Sequence, residues 1–344
     1  MADGRIAQLE RLTEQQRYLE VMDLAEELLA ERSRGLWAYG HYFLGMALNR
    51  LFLPEEAIDH LRQARELFEA LDEPWLAAES LEWEAGARYL KEDPDALDMA
   101  EEALRRYRLL EPREPEVESR MLEHLGTILV RHRSYPRARQ CYDEALHVAG
   151  PRLDIVRLAR IYHGLGTCHG ELGDRQRAIE LTMRAVTLYS VENDIRPQAA
   201  RVDLPRAEAD LGMCYLAQGD LERAEELFQA ALDHLAATGV ERLRSRGLLS
   251  MAELRRAQGR LDDALELIDQ AVALAGRYDE QIALAMAHQL RGQVRADRGE
   301  PALADVSFER ALAILERAGL EERRAQCLAA YRQVREARRR ASQA

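Results

Sequence analysis

The sequence predicts an all-α protein in which antiparallel helical hairpins stack one after another into a solenoid. Three observations predict this fold class. Small residues recur in register along the 344 residues, no proline falls inside a predicted helix, and four glycines end predicted first helices. The chain is 47% hydrophobic but only 6% aromatic, which suits helices that pack through alanine and leucine. A solenoid also accommodates this length, because each hairpin contacts only its neighbours.

The clearest hairpin is residues 206–239, where two amphipathic helices are joined by a tight turn. Its motif residues are Leu211, Gly212 and Tyr215 in the first helix, Gly219 and Asp220 in the turn, and Ala224, Phe228 and Ala231 in the second helix. Glycine and alanine allow the two helices to approach closely, and the aromatic rings fill the remaining space. Overpacking such a contact costs about 1–3 kcal/mol, so the small residues should recur wherever the hairpin does.

The small residues do recur, in seven units. The first alanine of the second helix is Ala57, Ala96, Ala138, Ala178, Ala224, Ala264 or Ala304, and another alanine follows seven positions later in every unit. Twelve positions before the first alanine stands Gly45, Glu84, Gly126, Gly166, Gly212, Ala252 or Gly292. We call this last position the anchor. The second unit is irregular, because Glu84 occupies a position where a small residue is expected.

This pattern resembles the tetratricopeptide repeat, in which Leu-Gly-x2-Tyr precedes Ala-x3-Phe-x2-Ala. The spacing of about forty residues exceeds the usual thirty-four and resembles the long repeats of bacterial peptide-sensing regulators and kinesin-light-chain-like proteins. The resemblance implies a right-handed superhelical solenoid of about eight hairpins that forms a single domain over residues 1–344. Residues 2–33 would be a degenerate first unit, 35–317 the seven repeats and 318–340 a C-terminal capping helix.

Each predicted element has its own support. Ile6, Leu9 and Leu12 mark one helix of the N-terminal unit, and Pro54, Pro94, Pro136 and Pro301 precede second helices, where the first-turn N–H groups need no helical partner. Gly173, Gly219, Gly259 and Gly299 end first helices. The connection over 190–205 is longer than the others and is either an extended helix with a solvated loop or a hinge. Near the C-terminus, Cys327, Leu328, Tyr331 and Val334 form an apolar stripe suited to covering the stack.

Composition and motifs argue against catalysis and against several partners. No phosphate-binding, nucleophile or zinc motif stands in a suitable context, and His163 and His169 lie about 240° apart on a helix, so we expect no catalytic residue, metal or cofactor. The net charge of −13 disfavours nucleic acid, and no apolar run reaches the roughly 20 residues that cross a bilayer. The four scattered cysteines predict a reducing, cytoplasmic location.

The resemblance implies a concave groove lined by first helices, and residues at the corresponding positions are candidate contacts. These candidates are Tyr39, Tyr42, Met46, Asn49, His124 and His163, together with Arg120, Arg160, Arg206 and Arg246. The four arginines share one phase in successive units and could form a ladder that binds carboxylates at roughly 1.5–3 kcal/mol per hydrogen bond. Alternatively, they pair with Glu123, Asp210 and Glu253. The aromatic residues likewise either belong to the core or anchor a partner.

We therefore expect a non-enzymatic, cytoplasmic adaptor that binds a protein or peptide segment, acidic or with a free C-terminal carboxylate. Two alternatives remain open. One is a structural scaffold that self-associates through its terminal repeats. The other is a peptide-sensing regulator of transcription that acts through a partner protein. A homo-oligomer is compatible with each of the three.

Overall fold

The structure is a computed structural model that describes residues 4–150, 153–196, 200, 202–237 and 241–343. These residues form helices and no strand, which confirms the all-α class. The helices are α1 (Gly4–Glu14), α2 (Tyr18–Leu29), α3 (Arg34–Arg50), α4 (Pro54–Ala70), α5 (Pro74–Leu90), α6 (Ala96–Arg108), α7 (Pro115–Arg131), α8 (Tyr135–Ala149), α9 (Ile155–Glu171), α10 (Arg175–Ile195), α11 (Asp203–Gln218), α12 (Leu221–Ala237), α13 (Glu241–Ala257), α14 (Leu261–Arg277), α15 (Gln281–Asp297), α16 (Pro301–Arg317) and α17 (Glu321–Gln343).

The chain divides into two compact units, Met1–Glu192 and Asn193–Ala344. In each unit, consecutive helices pack against each other as antiparallel hairpins, and each hairpin stacks on the next. The first unit contains α1 to α9 and most of α10, and the second contains α11 to α17. A single continuous domain over the whole chain stays a prediction.

The anchor glycines lie where the two helices of a hairpin approach most closely, as predicted. A Cβ atom added to any of them would come within 3.0 Å of a side chain on the second helix. The facing residue is Leu61 for Gly45, Tyr142 for Gly126, Thr182 for Gly166, Phe228 for Gly212 and Phe308 for Gly292. The repeated small residue therefore sets the distance between the helices.

Turn residues also stand where the sequence placed them. Gly219 ends α11 with φ 83°, in the left-handed region that favours glycine, and Gly173, Gly259 and Gly299 have positive φ as well. Pro54 and Pro301 are the first residues of α4 and α16. Pro205 lies in the first turn of α11. A first turn tolerates proline, since its N–H groups have no helical acceptor.

The irregular second unit holds a buried carboxylate at its anchor. Glu84 is 1% exposed and pairs with Arg88 at 3.0 Å and Arg65 at 3.5 Å. The large second-helix residue of other units is replaced here by Ala100, which leaves volume for a longer anchor side chain. The two departures from the repeat pattern thus compensate each other in size.

Both ends of the described chain are covered by helices. The degenerate N-terminal unit forms the hairpin α1–α2, with Leu9, Val21 and Leu28 fully buried. At the other end, Tyr331 of α17 stacks on Phe308 with ring centroids 4.8 Å apart, and Cys327 is fully buried. The stripe predicted to cap the stack does so.

The long connection begins as helix, because α10 continues to Ile195. Residues 197–199 and 201 of the predicted hinge lie outside the described residues, so the hinge stays a prediction. Among the described helices, none combines the length and the apolar character needed to cross a membrane.

Candidate functional site

First helices of neighbouring hairpins contact one another within each unit. In the first unit, α3 contacts α5, α5 contacts α7 and α7 contacts α9; in the second, α11 contacts α13 and α13 contacts α15. The predicted groove positions, which lie six, three and two residues before each anchor and one after it, follow this row of helices. We call them the inner face of the first unit and the inner face of the second unit.

The aromatic end of the first unit's inner face is part of the hydrophobic core. Tyr42 and Met46 are 7% and 4% exposed, and Tyr39 packs edge-on against Phe68 at 5.3 Å. Burial raises the pKa of both tyrosines. These aromatic residues were expected either to belong to the core or to anchor a partner. In the structure they contact the protein's own core.

Two further candidates of this face are partly or largely enclosed. Asn49 is half-buried on α3, and its Nδ2 would lie 3.2 Å from a Cβ atom on Gly86 of α5. His163 on α9 is 6% exposed. Neither side chain therefore presents a large surface to a ligand in this structure.

A buried ionic network crosses from α5 to α7. Arg120 Nη2 donates to Glu79 Oε2 at 2.6 Å, and Arg120 Nε lies 3.4 Å from Glu82 Oε2. His124 Nδ1 contacts Glu82 Oε1, and the Tyr42 hydroxyl donates to Glu79 at 3.3 Å. The Glu82 side chain is only 2% exposed and that of Arg120 14%, so these groups mainly satisfy one another.

Electrostatics keep this network ionised despite its burial. Burial opposes ionisation of Glu82, but His124 and Arg120 outweigh it and hold its pKa at about 2. Burial likewise opposes the charge of Arg120, while Glu82 and Glu79 raise its pKa above the usual range. Removing one partner of a buried ion pair typically costs about 3–5 kcal/mol. The network therefore has a structural role in joining α5 to α7.

Arg157 on α9 is a charged residue of this region that the sequence analysis did not single out. Its Nη1 donates to the Glu116 carbonyl at 2.6 Å, and its Nε lies 3.6 Å from Asp154. Burial lowers its pKa, and repulsion from Arg120 and Arg160 lowers it further. The sequence signal for Arg157 was its position three residues, about one helical turn, before the candidate residue Arg160.

The inner face of the second unit is partly exposed, although Leu249 and Leu290 at two of its positions are buried. Met213 and Met286 are 40% and 44% exposed, the Arg206 side chain is 53% exposed, and Arg246 is also exposed. Arg206 pairs with Asp203 at 2.9 Å. By contrast, every inner-face position of the first unit is buried or half-buried.

The predicted arginine ladder is thus divided between two environments. Arg120 and Arg160 are half-buried in the first unit, whereas Arg206 and Arg246 are exposed in the second. The ion-pair partners of Arg120 are Glu79 and Glu82 on α5 rather than Glu123, which the sequence suggested. Within the described residues, no group of three or more metal-ligating side chains comes together.

Comparison with known families confirms the repeat assignment. Residues 243–317 match a model described as tetratricopeptide repeat, and a second model of that description matches residues 159–191 and 209–233. These segments fall within α9 to α16. These segments therefore carry tetratricopeptide repeats, as the small-residue pattern indicated. No curated protein matches its sequence.

Solved structures with a similar fold cover most of the chain. One is a Rap protein complexed with competence and sporulation factor, at 20% identity and TM-score 0.67 over 87% of this chain and 80% of that one. Another is the apo form of the quorum sensor NprR from B. thuringiensis, at 13% identity and TM-score 0.71 over 90% and 86%. Aspartyl phosphate phosphatase F from Bacillus subtilis has 12% identity and TM-score 0.60 over 97% and 93%. These identities establish likeness of fold.

Proposed function

We propose that this chain is a non-enzymatic adaptor that binds an extended peptide or protein segment on the inner face of its second unit. The observation that carries the proposal is the contrast in exposure between the two inner faces. Arg206, Asp210, Met213, Arg246 and Met286 of the second unit are exposed, whereas no inner-face position of the first unit is. A partly exposed surface that carries both arginine and methionine is suited to a partner.

The side chains of this face indicate the chemistry of the segment. Arg206 and Arg246 present guanidinium groups, which match carboxylates in a two-pronged geometry. Met213 and Met286 are flexible and polarizable, and such residues adapt to apolar side chains of different shape. We therefore propose a segment with a carboxylate, either an acidic side chain or the C-terminus, next to an apolar side chain.

The comparisons support this proposal without identifying the ligand. The matched repeats over 209–233 and 243–317 include most of the proposed surface. A Rap protein of similar fold was solved with competence and sporulation factor, and NprR is described as a quorum sensor. By analogy, we propose a regulatory or signalling adaptor. Its four free cysteines support a reducing, cytoplasmic compartment.

The proposal can be tested with a displayed library of short random peptides that have free C-termini. We expect the wild-type chain to enrich peptides that combine a carboxylate with an apolar residue. The Arg206→Gln/Arg246→Gln double variant should bind the enriched peptides at least roughly tenfold more weakly, given the strength of charged hydrogen bonds. Met213→Ser should weaken peptide binding less than the double variant does, because it removes one apolar contact and no charged hydrogen bond.

A matched control removes the same charge elsewhere. Arg62→Gln/Arg105→Gln changes two exposed arginines on second helices of the first unit, and it should leave peptide affinity unchanged. Equal affinities for all variants would remove the second unit's inner face from the mechanism. Failure to enrich any peptide would contradict the proposed ligand class.

A further inference from the structure

A second group of cationic side chains lies away from the inner face, around α15. His288, Arg291 and Arg295 follow the spacing i, i+3 and i+7, so they share one side of the helix. Their side differs from the inner-face positions Met286, Gln289 and Gln293 by roughly 100° or more of helical rotation. Arg310 joins the group from α16, two residues after Phe308, the partner of the Gly292 anchor.

Contacts with α14 and α16 position two of the guanidinium groups. Arg291 Nη2 contacts Asp269 Oδ1 on α14, which directs this side chain toward the preceding hairpin. Arg295 Nη1 donates to Ser307 Oγ at 3.2 Å and to the Leu303 carbonyl at 3.3 Å, both on α16. Both arginines therefore lie where α15 packs against its neighbouring second helices, α14 and α16, and His288 lies on the same side of α15.

Part of the hydrogen-bonding capacity of this group is unused. His288 is 8% exposed, and its buried Nδ1 makes no hydrogen bond to any described residue. The buried Nε of Arg295 has no described partner either. Arg310 is exposed, and no carboxylate of the described residues lies within ion-pair distance of it. Buried polar groups without partners are rare, and each calls for an explanation such as a bound ligand.

The group also has an excess of positive charge. Asp269, whose side chain is 72% exposed, is the carboxylate that pairs with it. Burial lowers the pKa of His288 to about 4, and Arg291, Arg310 and Arg295 add to this effect. Burial lowers the pKa of Arg291 too, with repulsion from Arg295 and Arg310 opposing the attraction of Asp269. An anion bound here would relieve that repulsion.

We propose that His288, Arg291, Arg295 and Arg310 form a binding site for a phosphate group where α15 packs against α14 and α16, separate from the peptide surface. Three guanidinium groups and an imidazole together offer many hydrogen-bond donors. A phosphate group has more acceptor oxygens than a carboxylate, so it matches this set of donors better. Arg310 is the accessible member and meets the ligand first. The phosphate could be free or carried on a side chain, and the same donors would recognise both.

The experiment uses the full-length chain and follows the ring nitrogens of His288 by NMR, with the signal assigned through His288→Gln. Inorganic phosphate should shift this signal and raise the pKa of His288, because a bound anion favours the protonated ring. O-phosphoserine should produce the same shift if the site also takes a phosphate on a side chain; a response to inorganic phosphate alone would identify the free ion as the ligand. Acetate at equal ionic strength should have no such effect.

Variants locate the site. Arg310→Gln, at an exposed position, should weaken phosphate binding roughly tenfold while the protein stays folded, since a charged hydrogen bond is lost. Arg291→Gln should weaken it similarly, and Arg105→Gln on α6 should not change it. Equal responses to acetate and phosphate, or phosphate binding unaffected by Arg310→Gln, would overturn the proposal. Loss of peptide binding with phosphate binding retained would separate this site from the proposed function.

Discussion

Gly212 of α11 lies directly against the ring of Phe228 on α12, and a Cβ atom at residue 212 would be 2.6 Å from that ring. Phe228 is 1% exposed, so its ring has little room to move aside. We expect Gly212→Ala to destabilise the second unit by about 1–3 kcal/mol through overpacking. This exceeds the gain of up to about 1 kcal/mol that alanine brings to a helix interior. Urea unfolding followed by circular dichroism measures the difference.

Gly276 provides the control for this substitution. It is an exposed helical residue of α14, and a Cβ atom there would meet nothing within 4 Å. Gly276→Ala should therefore stabilise the chain by about 0.5–1 kcal/mol. If both substitutions shifted the urea midpoint in the same direction, close packing at the anchor would not explain the repeat.

The hairpin register could be predicted because its cause is local. The small residues recur at fixed spacing, and the structure shows each anchor glycine against one second-helix residue, as Gly292 lies against Phe308. Capping by α17 was predictable for a similar reason, because Cys327 and Tyr331 follow helical spacing toward one face. Such patterns report which side of a helix is buried.

Partners in the ionic network could not be predicted in this way. Arg120 is separated from Glu79 by 41 residues, and the helical phase does not specify how α7 is shifted along α5. The exposure of the inner-face arginines could not be predicted from the repeat pattern either. Arg120 and Arg206 hold the same repeat position, yet one side chain is 14% exposed and the other 53%, because the neighbouring helices differ in their side chains.

Replacing Arg120 tests whether the buried network holds the first unit together. Arg120→Met removes a cation that pairs with both Glu79 and Glu82, so we expect the free energy of unfolding of this unit to fall by about 3–5 kcal/mol. Arg206→Met removes a partly exposed pair, in which the arginine side chain is 53% and the Asp203 side chain 12% exposed, and should cost less, about 1 kcal/mol. Hydrogen exchange read by mass spectrometry over α5 and α7 would follow the first unit separately. Similar, small effects of the two substitutions would argue against the structural role.

Acid should weaken the first unit through the pair His41 and His60. Their Nδ1 atoms are 2.8 Å apart. Burial, reinforced by His60, lowers the pKa of His41 from 6.5 to about 4, and burial also lowers that of His60. The folded state thus binds fewer protons than the unfolded state in this range, so stability present above pH 6.5 is lost as the pH falls toward 4.

The measurement is the urea midpoint at a series of pH values. His41→Asn should flatten the decline between pH 6.5 and 4, whereas His132→Asn, at an exposed position, should leave it unchanged. Glu82 acts in a lower window, since its pKa of about 2 lies below its ordinary 4.5, and the stability it contributes is lost between those values. Identical pH profiles for wild type and His41→Asn would contradict the assignment.

Changes to α17 test whether this helix covers the end of the second unit or serves as a surface for self-association. Tyr331 is 9% exposed and stacks on Phe308, so Tyr331→Ala should cost about 3–5 kcal/mol, against little change for the exposed neighbour Arg332→Ala. Removing residues 321–344 would uncover Phe308, Ile314 and Leu315. We expect the shortened chain to melt at a lower temperature and to associate as its concentration rises, because an exposed apolar patch favours self-association. Light scattering and thermal unfolding report both effects.

A shortened chain that stayed monomeric and equally stable would show that α17 does not protect this end. A full-length chain that already associated through α17 would instead favour the scaffold alternative, since the helix would then be the contact between copies rather than the cap that prevents it.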